Sequence, residues 1–404
     1  MTRGGRSDRG RVPRALGRGG RTGAAFAVVY LAVLVAKAVL SAVAVRRRRA
    51  RIEASARPPL PPEAFTIVQP VLGGDPRLAD TLAHTLRVAP RSTVVWLVDV
   101  DDPAGRAAAE EAAALVPHAD VRIVDCPPAP EHASPKTFKL ALAEAELRTE
   151  AFAIVDDDTR VSEEGLRALA EGLEIAEAST GLPRYAAAPG VWSELVAQFV
   201  NDQSAFTYLP AAALAPARTV NGMTWAMRTA TLRGLGGFAP LADRIADDLA
   251  VATRLKAAGG RIDQTDVVQT VSTTVEGFGP YRRIMHRWMR FAVLVLREEP
   301  PAWRAAIAVA GALPGLLLTG AVALLARRDA RRLSVLAGFL AVRAAIVSAA
   351  HRRLGGASAH RPALSLVAEA LMPAQFAWAV VDRRIVWRKR RYLVDANDRY
   401  REVR

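Results

Sequence analysis

Gly23 to Val45 is a 23-residue apolar stretch with a single charge, Lys37, and Arg46-Arg47-Arg48-Arg49 follows it directly. As a helix it reaches about 34 Å at 1.5 Å per residue, enough to cross a hydrocarbon core. Ser41-Ala42-Val43-Ala44 offers the small residues of a signal-peptide cleavage site. The long basic segment ahead of the apolar run, and the arginines just after the candidate cut, favour a retained transmembrane anchor instead. Three more apolar segments lie near the other end. Residues 305–326 carry no charge, 333–350 contain Arg343, and 362–381 contain Glu369. An ionisable group inside a span needs a partner or a polar cavity. Two to three transmembrane or re-entrant helices are therefore expected over 305–381. Three full spans would carry the basic C-terminal tail across the membrane from the region between the first and second spans, against the positive-inside rule. Two spans plus one re-entrant segment keep both on one side, and that arrangement is expected.

The net charge of +15 suggests nucleic acid, an anionic membrane or a phosphate-bearing substrate as partner. Its distribution decides among them. Residues 1–57 carry a net +12 and residues 382–404 a net +5, leaving −2 over the other 324 residues. A nucleic-acid enzyme spreads its cations along a binding face. Here they flank membrane segments, so no nucleic-acid partner is expected. The single cysteine, Cys126, excludes an internal disulfide framework, a cysteine-based zinc cluster and a CxxC redox site. Residues 1–22, with seven Arg and six Gly, read as a disordered basic arm, 23–45 as the first span, and 46–63, with Pro58-Pro59 and Pro61-Pro62, as a basic, stiff linker.

From residue 64 to 280 the pattern alternates strand and helix. Apolar strands are expected at 65–72, 93–99, 121–126 and 152–155. Helices are expected after Asp75-Pro76, Asp102-Pro103, Ser134-Pro135 and Ser162. Repeated β-α units imply an α/β domain with a mostly parallel sheet and flanking helices. Ligands of such sheets bind beyond the carboxyl ends of the strands. Asp99, Asp101 and Asp102 follow the second strand, and Asp156, Asp157 and Asp158 follow the fourth. In an extended segment residues i and i+2 point the same way. Asp156 and Asp158 can thus face one crevice and hold a hard divalent cation, which in turn binds a diphosphate. Helix capping is the competing reading, for Asp158 before Ser162-Glu-Glu above all. Asp247-Asp248 opens a further helix, either as favourable N-terminal charge or with a general base. Residues 281–304 begin with Tyr281-Arg-Arg-Ile-Met-His-Arg-Trp-Met-Arg-Phe291, an amphipathic interfacial helix with Trp288 expected at headgroup level.

Seven stretches, in order, resemble the ceramide glucosyltransferase family, a branch near the family-2 glycosyltransferases with the GT-A fold. They are Gln69-Pro-Val-Leu-Gly-Gly-Asp-Pro-Arg-Leu78, Val98-Asp-Val-Asp-Asp-Pro-Ala104, Ser134-Pro-Lys136 and Ile154-Val-Asp-Asp-Asp-Thr-Arg-Val161. Val220-Asn-Gly-Met-Thr-Trp-Ala-Met-Arg228, then Gly236-Gly237 with Ala246-Asp-Asp248, and finally Trp387-Arg-Lys-Arg-Arg-Tyr-Leu-Val394 complete the series. The resemblance runs from about Phe65 to Val394.

The resemblance implies a GT-A domain over 64–280 and a membrane glycosyltransferase that moves a sugar from a UDP-sugar to a lipid hydroxyl with inversion. It implies that Asp99 and Asp101 contact the donor nucleotide, with Lys136 also in the donor site. Asp156 and Asp158 hold a divalent metal (Mg or Mn) and the sugar diphosphate, Asp248 is the base, and Arg287-Trp288 match the Arg-Trp of a (Gln/Arg)-x-x-Arg-Trp motif. Ile284 stands at the first position of that motif; Arg283, one residue earlier, is the candidate substitute. A cytoplasmic catalytic domain on a multi-pass protein of the inner membrane follows from the cytosolic donor. A processive polysaccharide synthase and a catalytically silent scaffold are the alternatives. Ile284 and the few C-terminal spans speak against the first, the intact Asp99, Asp156, Asp158 and Asp248 against the second. Glucose is the family's default sugar. Ceramide, a terpenoid lipid and a diacylglycerol all fit as acceptor, because an excess of Arg over Lys of 50 to 5 suggests a high-GC bacterial source.

Overall fold

The computed structural model describes residues 16–131, 133–355, 360–387, 390–395 and 398–403. Residues 1–15 of the expected basic arm, and Arg388 and Lys389 of the C-terminal signature, lie outside them. Helix α1 (Arg18–Glu53) is one continuous rod that takes in the end of the arm, the first span and the arginine cluster. The catalytic region follows with β1 (Phe65–Pro70), α2 (Leu78–Val88), β2 (Thr93–Asp99), α3 (Pro103–Leu115) and β3 (Val121–Cys126). Next come α4 (Pro135–Ala143), β4 (Ala151–Val155), β5 (Thr159–Arg160), α5 (Glu163–Ile175) and β6 (Ala178–Ala187). Helix α6 (Val191–Gln203), a π-helical turn at Ser204–Tyr208 and α7 (Leu209–Leu214) form one broken rod. Then follow β7 (Thr224–Arg228), α8 (Thr229–Gly234), α9 (Asp247–Ala257) and β8 (Ile262–Thr273).

The eight strands form one sheet in the order β3-β2-β1-β4-β7-β6-β8-β5. The β3-β2-β1-β4 half is parallel throughout, β7 runs antiparallel to both neighbours, and β6 is parallel to β8. The sheet is buried on both faces, so its central strands read as unbroken apolar runs. On one face Phe152, Trp225 and Phe238 pack edge to face at 5.6–6.3 Å between ring centroids.

Two local expectations change. Helix α2 starts at Leu78, not at Asp75-Pro76, because Asp75 Oδ1 accepts the Arg77 amide at 2.8 Å and forms its own turn. Helix α5 is capped by Ser162, whose Oγ accepts the Gly165 amide at 3.0 Å, so Asp158 is released from capping.

After β8 come α10 (Phe278–Arg297), α11 (Pro301–Leu325), α12 (Ala330–Leu354) and α13 (Pro362–Val381). A three-stranded sheet of β9 (Arg384–Trp387), β10 (Arg390–Val394) and β11 (Tyr400–Glu402) ends the chain. Among the described residues four helices, α1, α11, α12 and α13, are long and apolar enough to cross a membrane. Their contacts give each a direction. The start of α1 meets the end of α11 and the start of α12, since a Cβ on Gly23 would touch Leu325 and one on Gly20 would touch Arg332. The other end of α1 enters the catalytic region: Arg48 donates to Asp263 Oδ2 at 2.8 Å and to the Ala168 carbonyl at 2.6 Å. The end of α12 returns there too, with His351 Nε2 2.8 Å from Asp202 Oδ1 on α6. Helix α13 differs, because both of its ends touch catalytic-region elements. The Arg361 amide at its start donates to Gln198 of α6 at 2.9 Å, and Gln375 near its end donates to the Tyr281 hydroxyl of α10 at 3.0 Å. The C-terminal sheet packs on α9 and α10 through Ile385, Tyr392 and Val394.

These contacts predict opposite membrane sides for the α11–α12 turn and the C-terminal sheet. Cys126 is buried, so single cysteines introduced at Arg328 and Arg401 can be probed with a membrane-impermeant maleimide. One should label in intact cells and the other only after permeabilisation. Labelling of both under the same condition means that α13 crosses the bilayer.

Candidate active site

The carboxyl ends of β2 and β4 and the starts of α4 and α9 meet at one edge of the sheet. Helix α4 opens at Pro135, and the Ser134 amide is tied to the Ala242 carbonyl in the loop before α9 at 2.7 Å. Lys136 and Lys139, three residues apart, share one helix face. Lys139 Nζ lies 2.7 Å from Asp99 Oδ2 and donates to the Val71 carbonyl at 3.1 Å. Lys136 Nζ lies 2.8 Å from Asp156 Oδ1 and 3.4 Å from Asp247 Oδ2, and donates to the Gly222 carbonyl at 3.2 Å. Burial works against the ammonium, but Asp156 and Asp247 outweigh it and hold the Lys136 pKa above its ordinary value.

The three consecutive aspartates after β4 have three different environments. Asp156 faces Lys136 and bonds through its amide to the Met223 carbonyl at 3.0 Å. Asp157 turns to the loop after β1, where its Oδ2 accepts the Leu72 amide at 2.7 Å. Asp158 accepts from the Thr159 hydroxyl at 3.2 Å and the Thr273 hydroxyl at 3.4 Å. Burial, then the neighbouring Asp156 and Asp157, push its pKa up to about 7. Crowded carboxylates with one ammonium beside them are hard oxygen donors of the kind a divalent cation takes. Among the described residues no group of three or more His, Cys, Asp or Glu side chains could hold a metal ion. The remaining ligands would have to come from substrate or water.

After β2, Asp102 caps α3 and also accepts the Gly73 amide at 2.6 Å, while Asp101 is exposed on the turn. A Cβ at Gly73 would lie 2.5 Å from the Gly105 amide nitrogen, so only glycine allows the first and second loops to touch. Asp247 and Asp248 form the first turn of α9. The Asp248 carboxylate lies against Gly222, where a Cβ would fall 2.8 Å from its Oδ2, and it accepts the Leu249 amide at 2.8 Å. Burial first, and Asp247 second, push the Asp248 pKa up to about 7. Such a carboxyl can take a proton near neutrality.

Helix α10 supplies Arg287 and Trp288. Trp288 packs on Tyr185 at 5.7 Å and on Phe199 at 6.4 Å between ring centroids. Ile284 belongs to the same apolar cluster as Trp288, Trp192 and Met223, whereas Arg283 is on the exposed side of the helix. Two residues had no signal in the sequence. Tyr185, in β6, has its hydroxyl pKa raised by burial and by Asp158, with Arg287 opposing. Tyr208 closes the π-helical turn, and burial followed by the Asp248 carboxylate pushes it up to about 12. Only the folded chain brings either one to the aspartates.

A family model described as glycosyl transferase family 21 matches residues 25–400. No curated protein matches the chain. Among solved structures, the chain is similar to a mannosyltransferase, PcManGT from Pyrobaculum calidifontis, in complex with GDP-Man and Mn2+. The two share 19% identity over 89% of this chain and 98% of that one, with a TM-score of 0.49. It is also similar to S. aureus TarS 1-349 in complex with UDP-GlcNAc, with 11% identity over 84% of this chain and 99% of that one, and a TM-score of 0.37.

Removing the Lys136 ammonium leaves buried carboxylates without their cation, a loss of about 3 kcal/mol for a buried pair. The ion pairs need ionised carboxylates, and the raised Lys136 pKa keeps the ammonium charged well past pH 8. Lys136→Met should therefore lower the unfolding temperature more at pH 8 than at pH 5, because Asp248, whose charge Lys136 also faces, takes up a proton below its raised pKa of about 7. Equal losses at both pH values, measured by thermal unfolding in detergent, count against this electrostatic arrangement.

Proposed function

The chain belongs to glycosyltransferase family 21, the family of the ceramide glucosyltransferases, and on that premise we propose that it transfers a sugar from a UDP-sugar to the hydroxyl of a membrane lipid. The observation that carries this reading is the meeting of Asp156, Lys136, Asp247 and Asp248 in one ion cluster at the start of α9, the helix that packs on α10. In this reading Asp99 and Asp101 face the nucleotide. Asp156 and Asp158 would hold a Mg or Mn ion, which when bound neutralises the diphosphate and stabilises it as it departs. Lys136 and Arg287 supply fixed positive charge to the same diphosphate. Trp288, packed between Tyr185 and Phe199, keeps Arg287 in place.

Asp248 accepts the proton of the lipid hydroxyl. The hydroxyl oxygen forms the new bond to the anomeric carbon, and the bond to the diphosphate oxygen breaks, with its electron pair leaving on the diphosphate. One displacement inverts the anomeric configuration. The donor is a cytosolic compound, so the catalytic region lies on the cytoplasmic face of the plasma membrane. The lipid hydroxyl then arrives from the bilayer along α6, α10 and α13. Glucose is the sugar and ceramide the first acceptor to test, with diacylglycerols and terpenoid lipids next.

Asp248→Asn keeps the shape of the side chain and removes its basicity. Transfer should fall by about 10²–10⁴-fold with donor binding retained. Full activity in this variant would remove Asp248 from the reaction. The base must be unprotonated, so kcat/KM should climb as pH rises through about 7 and level off above it. An acid limb near pH 4 would show that burial does not tune this carboxyl. Mass spectrometry of lipids from cells with and without the gene identifies sugar and acceptor. A single added sugar per lipid is expected, and a ladder of sugars would mark a polymer synthase.

A further inference from the structure

A second polar cluster lies among the apolar helices. Arg343 of α12 is 2% exposed in its side chain and donates to Glu369 of α13 at 2.7 Å and to the Tyr30 hydroxyl of α1 at 2.8 Å. Ser365 joins Arg343 to Asp202 of α6, at 3.0 and 2.5 Å. Tyr30 donates to Glu369 at 2.7 Å. Both carboxylates are thus occupied by partners on other helices. The donors are not. Arg343 Nη1 is buried without a hydrogen-bond partner among the described residues. The half-buried Lys37 of α1 has one long bond, to the Ala310 carbonyl at 3.4 Å.

Both cations line a cavity of about 40 Å³, together with Asp202, Gln203, Thr207 and Glu369. That volume holds a hydroxyl or carbonyl group, each about the size of a water molecule. Gly311 of α11 also borders the cavity; it is exposed, and a Cβ built on it meets nothing within 4 Å. The cavity therefore opens sideways, between α1 and α11, toward the bilayer. Phe206 and Thr207 of the π-helical turn form part of its wall, and the next residue, Tyr208, is within reach of the Asp248 charge. Two cations face two carboxylates, so the cavity offers unfilled donors with no surplus charge for a phosphate. An unfilled donor in a hydrocarbon setting is costly and is satisfied by an oxygen acceptor.

We propose that this cavity binds the uncharged hydroxyl and carbonyl oxygens at the polar end of the acceptor lipid, through Lys37 and Arg343, and so holds a neighbouring hydroxyl for Asp248. The inference rests on the lipid-acceptor reading above and adds the place where the lipid is recognised. Lys37 is a positioning residue in this scheme. Among the described residues it forms no salt bridge and feels Glu369 only through space, so Lys37→Met removes none of the Arg343–Glu369–Tyr30 hydrogen bonds. Gly311→Phe, at an open position, narrows the mouth without touching them.

The full chain is placed in phosphatidylcholine nanodiscs with a photoactivatable, alkyne-tagged ceramide, and in parallel with the matching diacylglycerol, in the absence of any sugar donor. After irradiation, cross-links from at least one probe should concentrate on peptides carrying Lys37, Gln203 to Thr207 and Gly311. Lys37→Met and Gly311→Phe should each reduce cross-linking there at least about tenfold, the size expected for losing a bond to a charged group. Labelling of the outward face of α12 should not change. Equal cavity labelling in wild type and both variants overturns the proposal, as does labelling spread evenly over the apolar helices or no cavity label from either lipid. The assay contains no donor, so it separates the two readings. Cavity labelling in a protein that transfers no sugar sinks the proposed reaction alone. Unlabelled cavities in an active enzyme sink this site alone.

Discussion

The Lys136 ammonium joins three parts of the chain that are far apart in sequence. It bridges Asp156 at the end of β4 and Asp247 at the start of α9, and it bonds the Gly222 backbone between them. Each carboxylate would be costly to bury alone, and the cation makes their approach tolerable. Its neighbour on the same helix face, Lys139, does the same for Asp99 at the end of β2. A short helix thus sets the spacing of the acidic residues along the sheet edge. Burial first, and the neighbouring carboxylates second, still raise the pKa values of Asp158 and Asp248.

The membrane helices extend the catalytic region; they do more than tether it. Arg48, at the end of α1, is buried with Asp263 and the Ala168 carbonyl, so the arginine cluster is in part an internal ion pair. Helix α6 serves both sides. It packs Phe199 against Trp288 of the candidate site and gives Asp202 to the polar cluster among the apolar helices. The π-helical turn that ends it carries Tyr208 to Asp248. Wide turns of this kind are uncommon and recur at functional sites.

Much of the catalytic region was legible from the sequence because strand periodicity and turn chemistry are local. The strand β2 and the helix after Asp102-Pro103 fall on the expected residues, and Asp102 caps that helix. Legibility failed where a competing local bond mattered. Asp75 makes its own turn and delays α2, and Ser162 takes the capping role that Asp158 was a candidate for. The packing partners of Trp288 were not legible for a different reason. Amphipathic spacing tells which face of α10 is apolar but not what covers it, and here Tyr185 and Phe199 cover it.

The sequence by itself determined the α/β pattern, the acidic residues at strand ends, the apolar helices and the family motifs, since each is written in neighbouring residues. Charge could not orient the membrane helices, because arginines flank both ends of several of them, as at Arg46 to Arg49 and Arg327 to Arg332. Tertiary contacts decided which helix ends return to the catalytic region, with both ends of α13 bonded to α6 and α10. They also decided the partners of Arg343, Glu369, Tyr30 and Asp202, four ionisable or polar groups that in the sequence are single interruptions of apolar runs or, for Asp202, a residue in no motif. Burial and Coulomb attraction act through space, and only the folded chain sets those distances.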